Sequence, residues 1–153
     1  MSDKRGTPGE GDFAGWFYNP EPVGFNGLVG RYYYRGDTPG KIEMAFQAEK
    51  QHLNMGGSVH GGCLLTLADT AVFAFAYPYL EGGGGVTVQL DAQFLSPGRE
   101  GDIIVASGEI TRAGKTLIYG RGQLTRGAPE LGGPVIMTFN AILARKPAHP
   151  GDA

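Results

Sequence analysis

The sequence predicts an α+β fold, an antiparallel sheet built around one core helix. Several segments alternate apolar and polar residues with the period of a half-buried strand. One segment, residues 60–79, is apolar along its length without that alternation and is rich in Leu and Ala, which favours helix. Glycine supplies the third observation. Its 27 residues gather at Gly56-Gly57, Gly61-Gly62, the run at 82–85, Gly114 and Gly132-Gly133, and so divide the chain into elements.

The 153 residues make one domain, long enough to bury a core. That domain is expected over residues 13–146, with polar tails at 1–12 and 147–153. The first tail has no apolar region of a signal peptide. Apolar residues at 41% and charged residues at 18% exclude a disordered chain. A net charge of −2 with no basic cluster excludes a nucleic-acid partner. A single cysteine, Cys63, cannot form an internal disulfide, and a cytoplasmic location is expected. Residues 63–80 resemble a membrane span in composition, but Asp69 and Pro78 within them point to a buried core helix. No membrane partner is expected.

The elements follow in order. Residues 27–35 (GLVGRYYYR) read as a first, tyrosine-rich strand, followed by a hairpin loop at 36–40. Residues 41–50 alternate, with Ile42, Met44, Phe46 and Ala48 on one face. A polar loop leads into the helix at 60–79, which is apolar on nearly every side and stops at Pro78 and the glycines beyond. Strands follow at 86–96, 102–112, 115–126 and 134–146. In the first of these, Val86, Val88, Leu90, Ala92 and Phe94 share a face, which leaves Thr87 opposite. A helix buried all round requires a sheet that curls about it.

The chemistry concentrates between Asn54 and Asp69. Gly61 and Gly62 lie in the first helical turn, where backbone N–H groups are unpaired and the dipole is positive. Two glycines there cost roughly 1 kcal/mol each in helix propensity. Close approach of a ligand to that backbone offsets the cost, and such a terminus can hold a phosphate or a carbonyl oxygen developing negative charge. Asp69 sits among apolar neighbours, where a carboxylate needs a partner. A catalytic role and a structural hydrogen bond to a strand are both open for it. Taken singly, His60 reads as a cap, Asn54 as a loop residue, Thr87 as a β-favouring threonine able to hold a water, and His52 as surface. Cys63 reads as a small core residue. The spacing of His60 and Asp69 fits no metal site, and no nucleophile elbow occurs.

Helix geometry separates the two ends of this stretch. Nine residues at about 100° each put His60 and Asp69 on opposite faces, roughly 13 Å apart along the axis. One chain cannot bring both to one reacting group. A two-fold dimer can, with two shared sites.

The stretch NMGGSVHGGCLLTLADTA resembles the PaaI-like branch of the hotdog thioesterases, and so do GVTVQLDAQFLSPGREGD and RAGKTLIYGRGQLT. The likeness runs over residues 27–145. It implies a hotdog fold, a curved antiparallel sheet around a central helix, and hydrolysis of an acyl- or aryl-acyl-CoA to free acid and CoA. It implies Asp69 as general base or nucleophile and the Gly61 N–H as the group that polarises the thioester carbonyl. Asn54 and His60 would orient substrate and water, and Thr87 would position the water. It implies a homodimer, often paired into a tetramer, and no cofactor. Coenzyme A would meet Gly62, with Arg99, Arg112 and Lys115 as candidate phosphate contacts. The aromatic segment 13–25 would either cover the acyl pocket or pack on the sheet. Two other functions remain open: an acyl-CoA-binding module without catalysis, and a hydratase or dehydratase.

Overall fold

The computed structural model describes residues 6–148. Two short strands come first, β1 (Thr7–Pro8) and β2 (Phe17–Tyr18), then a six-residue helix α1 (Gly24–Val29). The body follows as β3 (Tyr33–Arg35), β4 (Glu43–Gln47), α2 (Gly61–Ala76), β5 (Gly84–Phe94), β6 (Ile103–Ala113), β7 (Leu117–Arg126) and β8 (Val135–Lys146). All eight strands join one antiparallel sheet in the order β1-β2-β3-β4-β6-β7-β8-β5. The crossover through α2 carries β5 to the far edge, where it pairs with β8 alone.

The sheet wraps α2. Leu64, Leu67, Ala68, Ala71, Val72, Phe75 and Ala76 are buried on the helix. They meet Ile42, Met44 and Phe46 of the β4 region, Ile104 and Ala106 of β6, Ile118 and Leu124 of β7, and Ile136, Phe139 and Leu143 of β8. Each large side chain so buried contributes about 1.5–3 kcal/mol relative to exposure. Gly120 lets the helix approach β7, since a Cβ there would lie 2.9 Å from Val72 Cγ2. By length and composition alone Gly61–Tyr79 could cross a membrane, at a mean hydropathy of 1.2. Its apolar side is instead spent on the sheet.

A second, smaller core lies on the outer face. Phe13 and Trp16 cover Ala45 and Val105, beside Tyr33 and Ile103. Phe13 stacks on Tyr33 with ring centroids 3.7 Å apart, and the Arg35 guanidinium lies 4.3 Å over the Trp16 ring. Residues 13–18 therefore pack on the sheet. Farther along, Asn19, Pro22 and Val23 line one hollow beside α2, and Phe25, Leu28 and Val29 line another.

Three expectations need correction here. The first strand is shorter than 27–35, because its first three residues end α1. Gly24 (φ 64) opens that helix and Gly30 (φ 130) closes it with its N–H on the Asn26 carbonyl. The described part of the expected tail 1–12 is structured, with Thr7–Pro8 paired to Phe17–Tyr18. The rest of that tail, residues 1–5, and residues 149–153 lie outside the described residues.

The third correction concerns β5. A bulge between Thr87 and Gln89 shifts its register against β8. The extra residue, Val88, reverses the inward-outward parity along the strand. Val86 and Val88 are exposed, while Leu90 and Ala92 pack on the core. Thr87 consequently faces the helix, not the outside as strict alternation predicts.

Candidate active site

A tight turn delivers the start of α2. The Asn54 side-chain oxygen accepts from the N–H groups of Gly56 at 2.9 Å and Ser58 at 3.2 Å. The Asn54 main chain also closes on Ser58 and Gly57, and Leu53 bridges Val59. Asn54 is thus the internal brace of the loop.

His60 follows as the N-cap. Its Nδ1 accepts from the Gly62 N–H at 2.8 Å, and its carbonyl accepts from the N–H groups of Cys63 and Leu64. Every early donor is taken except one. The Gly61 N–H has no hydrogen-bond partner among the described residues. It lies at the positive end of a 16-residue helix, as a donor for an oxygen that gains negative charge. Gly62 is glycine for a local reason: a Cβ there would stand 3.0 Å from His60 Nδ1 and disturb the cap. A Cβ on Gly61 would meet the Phe94 ring at 3.3 Å.

Asp69 is half-buried in mid-helix and turned toward β5. Thr87 Oγ1 donates to its Oδ1 at 2.6 Å. This charge-assisted bond holds the carboxylate in place and leaves its second oxygen without a hydrogen bond among the described residues. Eight residues separate Gly61 from Asp69, about 12 Å of helix rise. The chain therefore presents two half-sites rather than one assembled site.

The basic candidates also divide. Arg99 is exposed in the loop between β5 and β6, beside Gly98, whose carbonyl accepts from the Val59 N–H. It belongs to the helix-start end. Arg112 and Lys115 are exposed at the other end of β6, about 31 Å along the strand. Register links that end to the second half-site: Ala113 pairs with Ile118, Ile118 with Leu143, and Leu143 with Thr87. Gly62 is exposed at the mouth of the helix start.

Cys63 is half-buried, and burial pushes its thiol up to about 11. It is protonated at neutral pH and poorly suited to act as a nucleophile. Burial also raises the neighbouring Tyr32 phenol, whose hydroxyl has no hydrogen-bond partner among the described residues. No three His, Cys, Asp or Glu side chains gather into a metal-binding group among the described residues.

His52 is not a surface residue. It is 6% exposed and stands edge-on to Phe46. Its Nδ1 accepts from the Glu49 N–H in a capping box, which its Nε2 partner, the Val29 carbonyl, complements. The spacing of Glu49 and His52 is the sequence signal that marks it. Phe94 over Gly61 and the wall formed by α1 are further features that periodicity alone does not reveal.

A family model described as the thioesterase superfamily matches residues 56–132, which include His60, Gly61, Asp69 and Thr87. The chain belongs to the thioesterase superfamily. Human "Acyl-coenzyme A thioesterase 13" is 30% identical over 104 residues, covering 68% of this chain and 74% of that protein. Among solved structures, zebra fish thioesterase superfamily member 2 superposes with a TM-score of 0.73 at 24% identity, over 82% of this chain and 89% of that one. The E. coli PaaI protein gives 0.68 at 23% identity, over 76% and 80%. These likenesses establish the hotdog fold. This superfamily member is a thioester hydrolase, and its sequence resemblance to the PaaI-like branch agrees with the shared fold.

Proposed function

We propose that the protein hydrolyses acyl-CoA thioesters at two equivalent sites, each shared between the subunits of a homodimer. The observation that carries this reading is the Gly61 N–H, the one early helix donor without a partner. In each site that N–H holds the thioester carbonyl oxygen, and Asp69 of the partner subunit acts on the carbonyl carbon. It activates a water that adds to that carbon, or it attacks directly to form a mixed anhydride that a water then hydrolyses. The C–S bond breaks, the departing thiolate takes up the proton, and the products are the free acid and CoA. Asn54 and His60 keep the helix start rigid, and Thr87 keeps Asp69 aimed.

The β5 edge supports the dimer. It is 11 residues long, it has one partner strand, and Val86, Val88, Phe94 and the adjoining Leu95 are exposed. A long apolar edge of this kind needs cover. An antiparallel pairing of two such edges sets the Thr87 end of one chain beside the Phe94 end of the other. Asp69 then approaches the other chain's Gly61. Arg112 and Lys115 come alongside the other chain's Arg99, so CoA phosphates can be held across the junction. A cytoplasmic location fits a water-soluble CoA ester as substrate.

The test is Asp69→Ala, assayed with aryl, short, medium and long acyl-CoAs and sized by sedimentation. Loss of turnover in a dimer of unchanged mass supports the proposal. A fully active variant, or a fully active monomeric wild type, overturns it.

A further inference from the structure

His52 holds together three parts of the chain. Its ring Nδ1 accepts from the Glu49 N–H at 2.8 Å, so the proton sits on Nε2, which donates to the Val29 carbonyl at 2.6 Å. Its own carbonyl accepts from the His60 N–H at 2.8 Å. One buried residue thus fixes the last residue of α1, the turn before the loop, and the N-cap of α2.

The bond to Val29 matters because little else secures α1. None of the residues Gly24–Val29 is buried. Apart from the C-cap bond of Gly30 to Asn26, no other hydrogen bond among the described residues ties this helix to the rest of the chain. Yet α1 forms the outer wall of a hollow of about 430 Å³ whose floor is the α2 start. Phe25, Leu28 and Val29 line it on one side, and His60, Gly62 and Cys63 on the other. Phe25 and Leu28 are 64% and 80% exposed. Large apolar side chains so exposed at the rim of a mainly apolar hollow are suited to close on an apolar ligand.

We propose that His52 is a positioning residue that holds α1 as the wall of this chamber, and that the chamber takes the acyl chain of the thioester whose carbonyl sits on the Gly61 N–H. The ligand class is a flexible aliphatic acyl group, gripped by Phe25 and Leu28. This inference rests on the hydrolase reading above for the identity of the ligand, while the clasp itself does not depend on turnover.

The experiment has two arms. His52→Asn keeps an acceptor for the Glu49 N–H and removes the donor to Val29, whereas His52→Gln reaches Val29 with its own N–H. Hydrogen exchange of residues 24–29 is expected to quicken about fivefold in His52→Asn, the loss of one hydrogen bond, with the β6–β8 amides unchanged and with recovery in His52→Gln. The KM for decanoyl-CoA is expected to rise by a similar factor, with kcat and the KM for acetyl-CoA steady. The second arm is Phe25→Ala with Leu28→Ala, both exposed and harmless to the fold, which should raise the decanoyl-CoA KM selectively. Unchanged exchange in a folded His52→Asn overturns the clasp. An equal KM change for acetyl-CoA and decanoyl-CoA, or none, in the α1 double variant overturns the chamber, even if His52→Asn does not fold. A wild type that hydrolyses no acyl-CoA overturns the hydrolase reading instead, and the exchange result still decides the clasp.

Discussion

The two half-sites of this chain are built on opposite plans. At the α2 start almost every polar group is consumed locally: Asn54 braces its own turn, His60 caps Gly62, Cys63 and Leu64, and the single free donor is a backbone N–H. At mid-helix a charged side chain, Asp69, has one hydrogen-bond partner among the described residues, Thr87, and an edge strand beside it. In the proposed reaction the first half-site serves as a rigid electrostatic receptor whose geometry is fixed by main chain. The second supplies a reactive group whose aim depends on one hydroxyl. A preorganised donor and a reactive carboxylate need these different supports, because an N–H cannot be re-aimed and a carboxylate can.

The largest effect should come from pulling the halves apart. Asp69→Asn is expected to lower kcat by ~10³-fold. Gly61→Val, which fills the space under Phe94 and covers the free N–H, should be similarly inactive. Mixing the two inactive variants through a denaturation–renaturation cycle should restore about a quarter of wild-type activity, since half the dimers are then mixed and each carries one intact site. No recovery would mean that each site belongs to one chain.

Thr87→Val removes the 2.6 Å bond to Asp69 with little change of shape. A hydrogen bond to a charged group is worth about 1.5 kcal/mol or more, so kcat should fall about tenfold with KM little changed. Asn54→Ala tests the other plan. It should lower unfolding stability by about 1 kcal/mol through the lost turn bonds, read by denaturant titration, and affect kcat less than Thr87→Val does.

The smallest effect belongs to Cys63. Below about pH 9 its thiol is protonated in both the folded and unfolded chain and adds no pH dependence. Above that, the unfolded chain releases the proton first, so stability should decline as pH rises from 9 through about 11. Cys63→Ala should flatten the part of this decline that begins near pH 9, leave the part that the buried phenols of Tyr32 and Tyr34 add above pH 10, and keep the hydrolase active. Thiolate absorbance against pH gives the titration directly.

The sheet and its helix were readable because their signals are local. Ile42, Met44, Phe46 and Ala48 alternate inward as their spacing requires, and all four are buried. The helix buries one side under the sheet, but Leu65, Phe73 and Ala74 stay half-buried, so it is not enclosed all round as its composition suggests. The helix arithmetic that separated His60 from Asp69 also holds, since α2 is unbroken between them. The bulge was not readable. Val-Thr-Val-Gln-Leu obeys strict alternation in sequence, and only pairing with β8 turns Thr87 inward to Asp69. The place of His52 was hidden for a similar reason, because its burial depends on Phe46 and Val29, six and 23 positions away.

The sequence by itself determined the order of elements, the single core helix, and the residue types at the helix start and at position 69. These follow from short-range periodicity, propensity and capping, which neighbours within a turn or two decide. Only the tertiary structure decided that Gly61, alone among the early α2 donors, has no N–H partner among the described residues, that Thr87 clasps Asp69, and that Val29 of α1 bonds His52. Each depends on which distant groups have already been satisfied. A hydrogen bond made or left open is a property of the folded surroundings, not of the residue that carries it.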